Sequence, residues 1–134
     1  MTRAALLALA ERVEGLDGLD IELFKAAFYS AYGPPPDAKY NPRGWKVGEP
    51  DFCPEWKAYI ARKCRFINFV DREAYLDAAM MLVPDGWQMS RIVWINDVIE
   101  SSMHCGFASS TGRSKAAALA LTAAALRAHA GGME

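Results

Sequence analysis

The sequence predicts an α+β domain in which helices flank an antiparallel sheet centred on a hairpin. Three observations point there. Asn96-Asp97, a pair that tolerates positive φ, separates two runs of strand formers. Helical periodicity with capping residues and glycine stops recurs on both sides of those runs. The length of 134 residues and a 52% hydrophobic composition suit one domain able to bury its own core.

Thr2 is an N-cap for a first helix carrying Leu6, Leu9, Ala10 and Val13 at helical spacing, with Gly15 as its stop. Asp17 or Asp20 caps a second, whose stripe of Ile21, Phe24, Phe28 and Ala31 ends at Gly33 before Pro34-Pro35-Pro36. From about residue 33 to about residue 70 a long loop or insert is expected, rich in proline, glycine, aromatics and charge. Within it, Pro54 can open a short helix through Trp56, Tyr59 and Ile60. Cys64 to Val70 reads equally as a strand or as an extended connector. Asp71 is placed as the cap of a further helix bearing Tyr75, Ala78, Ala79 and Leu82, closed by the turn Val83-Pro84-Asp85-Gly86.

The hairpin comprises Trp87 to Ile95 and Val98 to Ala108. A two-residue loop sets Ile95 against Val98, Trp94 against Ile99, Ile92 against Ser101 and Ser90 against Met103. One face then carries Ile92, Trp94, Ile99, Met103, Cys105 and Phe107; the other carries Arg91 and Glu100 as diagonal neighbours within ion-pair reach. After Ser109-Ser110-Thr111-Gly112, Ser114 caps an alanine-rich helix that stops at Gly131-Gly132.

Charge and cysteines exclude some classes. A net charge of -1 supplies no whole-molecule attraction for nucleic acid or an anionic membrane, which leaves only a local patch. Three cysteines without CxxC spacing fit free thiols in a reducing compartment. Glu11, Arg12 and Glu14 interrupt the first apolar stretch before it could act as a secretory signal, and no run approaches the ~20 apolar residues of a membrane span. A cytoplasmic protein is expected.

The opening Leu-Leu-Ala-Leu-Ala-Glu-Arg-Val-Glu helix, the piece Leu76 to Trp87, the hairpin and the alanine-rich closing helix together resemble the phage ABA-sandwich domain family. These are small proteins of phages and prophages whose sheet lies between helical layers. The resemblance covers Ala4 to Glu14 and Glu73 to Ala130. It implies a three-layer α/β/α sandwich and a phage setting, in the cytoplasm of a bacterial host. The family carries no general activity or catalytic residues, so none is transferred.

No catalytic constellation is evident. His104 and Cys105 are adjacent on a strand and face opposite ways, Cys53 and Cys64 lack zinc spacing, and Cys105 reads as a small buried hydrophobe. His129 suits the end of the last helix, and Asp71 and Glu73 read as helix-start residues. No metal or cofactor is expected. Between Lys39 and Arg65, seven basic residues against three acidic give a local +4 and leave -5 on the rest. Arg43, Trp45, Lys46, Trp56, Arg62 and Arg65 are the candidate partner-binding residues, since Arg, Trp and aromatic neighbours commonly anchor interfaces. A solvated loop with its aromatics tucked against the sheet explains the same residues.

Two function classes follow. The first is a non-enzymatic phage accessory protein binding a host or phage protein, acidic or nucleic-acid-containing, with inhibition of a host defence complex such as CRISPR-Cas within its scope. The second is a small-ligand or nucleotide binder, or an enzyme, using Ser110, Thr111 and Arg113 ahead of the last helix. Self-association is compatible with either.

Overall fold

In the computed structural model, residues 2–32 and 54–132 are described. The elements are α1 (Arg3–Glu14), α2 (Ile21–Tyr32), α3 (Pro54–Asp71), α4 (Tyr75–Met80), β1 (Gln88–Ile95), β2 (Val98–Cys105), β3 (Ala108–Ser114) and α5 (Ala117–Gly131). The chain is α+β, with helices packed on a three-stranded antiparallel sheet of order β1-β2-β3. α5 lies across β2 and β3, while α1, α2 and α4 gather on α5. Among the described residues the layers therefore run sheet, α5, outer helices. This explains why α5 is apolar nearly all round: a helix enclosed on both sides has no wet face to furnish.

The starts of α1 and α2 follow capping chemistry, whereas α4 and α5 begin after Ala74 and Ala116 without a side-chain cap. Thr2 Oγ1 accepts from the Ala5 N–H (3.1 Å), and Asp20 Oδ1 accepts from the Leu23 N–H (3.2 Å). The hairpin register is as the sequence sets it from Ile95↔Val98 to Ile92↔Ser101, with Asn96 and Asp97 at φ of 50° and 66°. Beyond Arg91 a bulge intervenes, so Met89, not Ser90, faces Met103.

Three element assignments are corrected. Cys64 to Val70 is neither strand nor connector but the second half of α3, because Tyr59, Phe66 and Val70 fall on one helical stripe and Phe66 stacks on Phe28 at 4.4 Å. Asp71 ends that helix instead of starting the next. The Ala74 N–H returns to the Phe69 carbonyl (2.8 Å) and the Glu73 N–H to that of Val70 (3.0 Å), with Glu73 left-handed at φ 59°. This pairing is a Schellman stop. The expected strand from Val98 to Ala108 ends as β2 at Cys105 and turns at Gly106 (φ 61°) and Phe107, and the expected loop after it is a third strand, β3, so Ser114 closes a strand and Ala116 precedes α5.

β3 escaped detection because its inward residues are small. Gly112 touches α5 so closely that a Cβ there would lie 2.1 Å from the Ala120 carbonyl oxygen and 2.6 Å from the Ala124 nitrogen. The alanines of α5 and the glycine of β3 thus bring helix and strand backbones together, and Ser110 Oγ donates to the Ala124 carbonyl across the contact (2.6 Å). Met103 and Ile99 complete the buried face of β2, whereas Trp94, Phe107 and Cys105 of the same expected face are exposed. Cys105 is accordingly not a buried hydrophobe. β1 lies beyond the margin of α5, and Phe107 sits in a turn.

Candidate functional site

The described part of the basic segment is the outer side of α3. Phe66 anchors this helix to α2 by stacking on Phe28 and meeting Phe24 at 5.3 Å. Arg62, Arg65 and Arg72 are all exposed: Arg62 stands one turn before Phe66 at the flank of the buried stripe, Arg65 lies farther round the helix, and Arg72 follows just past its end. The guanidinium carbon of Arg62 lies 4.3 Å from the ring centroid of Tyr32, and that of Arg65 lies 5.7 Å from that of Phe69. Lys63 reaches Tyr29 at 5.9 Å. Each contact restrains a long side chain without neutralising it, since an aromatic face attracts a cation through its quadrupole and carries no net charge. Among the described residues, none of Arg62, Arg65 and Arg72 has a carboxylate within ion-pair distance.

Tyr32 is the fixed point beneath this face. Its hydroxyl donates to the Met81 carbonyl, and its ring meets His129 edge-on at 5.9 Å. Burial pushes its hydroxyl above the ordinary tyrosine range, against the pull of the Arg62 charge. The ring therefore stays neutral and held in place. Arg43, Trp45 and Lys46 lie outside the described residues, as does the side chain of Trp56. Arg62 and Arg65, three residues apart, are brought together by the helix that replaces the expected strand or connector.

The second set of candidates has a different setting. Ser110, Thr111 and Arg113 belong to β3, not to a loop before a helix. Ser110 is buried and committed to the Ala124 carbonyl. Thr111 and Arg113, with Glu14 and Arg127, line a pocket of about 430 Å³. Its charges are already paired. Arg127 binds Glu14 through both terminal nitrogens (2.5 and 2.7 Å) and also donates to the Thr111 carbonyl (2.9 Å). Arg113 Nε donates to Glu100 Oε2 at 2.7 Å, and Arg91 approaches the same carboxylate at 3.6 Å, as the hairpin register implies. Glu14 and Arg127 carried no sequence signal, because 113 residues separate them and neither sits in a motif.

His104 and Cys105 do not converge: His104 Nδ1 pairs with Ser90 Oγ at 2.5 Å. Among the described residues, no three of His, Cys, Asp and Glu gather as a metal site. None of the described helices is long and apolar enough to cross a membrane. No family model, curated protein or solved structure matches the chain.

Proposed function

We propose that this chain is a non-enzymatic phage or prophage accessory protein that binds an acidic host or phage macromolecule through the outer face of α3. The observation that carries this reading is the group Arg62, Arg65 and Arg72, exposed and without carboxylate partners among the described residues, with Arg62 and Arg65 steadied on aromatic rings. A side chain that is already restrained loses less freedom on binding, so the same contact yields more affinity. The phage setting rests on the resemblance of Leu76 to Trp87 and the closing helix to the ABA-sandwich family. A host defence complex such as CRISPR-Cas, which presents nucleic acid and acidic surface, is the target class this setting suggests.

The test is charge reversal read against salt. Replacing Arg43, Lys46, Arg62 and Arg65 with Glu should abolish capture of the partner while leaving the thermal midpoint near that of the parent, because exposed charge changes alter stability by about half a kcal/mol each. Capture by the parent should weaken as salt rises, since exposed charges are screened beyond ~10 Å at 0.1 M. A partner indifferent to both changes uses another surface, and the reading then fails.

The pocket at Thr111 and Arg113 supports a second reading, a small-ligand binder or enzyme. A small molecule retained with the purified chain in native mass spectrometry, and lost on Arg113→Ala, would favour it.

A further inference from the structure

The sheet has two edges, and they are finished differently. On β3 two outward backbone groups are engaged by side chains: the Arg113 N–H donates to Glu14 (2.7 Å), and the Thr111 carbonyl accepts from Arg127 (2.9 Å). An incoming strand would have to displace both to form a continuous ladder there. Among the described residues β1 forms the other edge. With Ile95↔Val98 flanking the two-residue turn, the alternation of an antiparallel ladder directs the N–H and C=O of Ile92 and Trp94 away from β2. β1 contains no lysine, proline or acidic residue, the usual means of blunting an edge. Its bulge falls between Met89 and Arg91, so the stretch from Arg91 to Ile95 pairs regularly. After Arg91 the side chains there are apolar; Ile92 and Val93 are half-buried, and Trp94 and Ile95 are 72% and 46% exposed.

From this geometry we infer that β1 is a dimerisation strand, which pairs antiparallel with β1 of a second copy about a two-fold axis at Val93. The occupant is a second copy because the strand complements itself in this register. Ile92 and Trp94 are the outward-bonding residues and stand two apart, so Ile92 of each copy meets Trp94 of the other and the main-chain bonds repeat on both sides of the axis. Both side chains lie on the same sheet face as Ile99 and Ser101, where the two copies together form one apolar cluster. On the opposite face Arg91 falls across from Ile95 of the second copy, so the only charge of β1 does not confront its like. Permanent interfaces bury about 800 Å² per partner or more, and one edge strand with a single tryptophan buries less. The dimer therefore dissociates on dilution.

Sedimentation velocity of the full chain from about 1 µM to about 1 mM should show the mass doubling across the series. Ile92→Pro removes an N–H that faces away from β2, and Trp94→Lys places a charge in the cluster. Each should raise the dimer dissociation constant ~10-fold or more. Hydrogen exchange on the parent chain gives a readout that needs no variant: the Ile92 and Trp94 amides become protected only at high concentration, while the Val93 amide, bonded to β2, is protected throughout. A chain monomeric to the top of the range overturns the proposal. So does a dimer that tolerates both substitutions, or protection of Ile92 and Trp94 at the lowest concentration, which would mean another part of the same chain covers the edge. Neither substitution touches Arg62 or Arg65, so the α3 reading stands or falls separately.

Discussion

Arg127 on α5 holds both carboxylate oxygens of Glu14 at the end of α1, although 113 residues separate them, and Glu14 also accepts the Arg113 N–H of β3. One carboxylate thereby ties the first helix, the last helix and the sheet edge. Burial acts to raise the Glu14 carboxyl, but the bonds from Arg127 and Arg113 outweigh it and hold the group below its ordinary 4.5. Glu14→Gln should cost about 1–2 kcal/mol in chemical denaturation, the range for a charge-assisted bond that is partly exposed. A folded value below the unfolded one means the contribution is present above 4.5 and disappears as pH falls through the folded value. Parent and variant should therefore converge in acid; a gap that persists there would contradict this account.

His129 gives a dependence at milder pH. Burial lowers it from 6.5, against the opposing effects of its bond to the Leu82 carbonyl (2.7 Å) and the Asp85 charge. Between the folded value and 6.5 the unfolded chain holds more protons, so stability declines as pH drops through that interval and levels off below it. Thermal midpoints measured from about pH 8 to about pH 5 should show this decline, and His129→Gln should flatten it. An equal slope in the variant would assign the dependence to other groups.

Glu73 occupies a left-handed position at the Schellman stop of α3, where a side chain meets steric resistance and glycine does not. Glu73→Gly should stabilise the protein by about 1 kcal/mol, the cost of left-handed backbone for an L residue. A loss of stability in urea titration would show that the Glu73 side chain makes a contribution larger than that strain.

Much of this architecture was legible because it is local. Asn96-Asp97 fixes the turn and hence the register, and Thr2 and Asp20 start their helices by bonds three residues long. α3 and β3 were not legible, for opposite reasons. Phe66-Ile67-Asn68-Phe69-Val70 has the composition of a strand, and only the aromatic slot formed by Phe24 and Phe28 selects the helix. Ala108 to Ser114 has the composition of a loop, and only the alanine surface of α5 makes small residues suitable for a buried strand. The basic charge of this segment could be read from composition, but its footing on Tyr32 could not, since Tyr32 belongs to another helix.

Ser101 lies under α5 with a buried Oγ that meets no hydrogen-bonding group among the described residues. Ser101→Ala removes an unpaired hydroxyl at nearly constant shape, so it should raise stability by about 1 kcal/mol in denaturant titration. A marked loss would show that the hydroxyl is bonded after all.

The closeness of Gly112 to α5 has a genetic consequence. In most packed pairs a larger residue on one side can be accommodated by a smaller one on the other, so a damaging change has suppressors. Here the nearest atoms are the backbone oxygen of Ala120 and backbone nitrogen of Ala124, which no substitution can shorten. A selection for revertants of Gly112→Ala should thus return true reversion to glycine, or stabilising changes far from the contact, but no compensating replacement at Ala120 or Ala124. Position 112 can drift only if the whole helix withdraws from the sheet, which would open the seam that the rest of the core is built around.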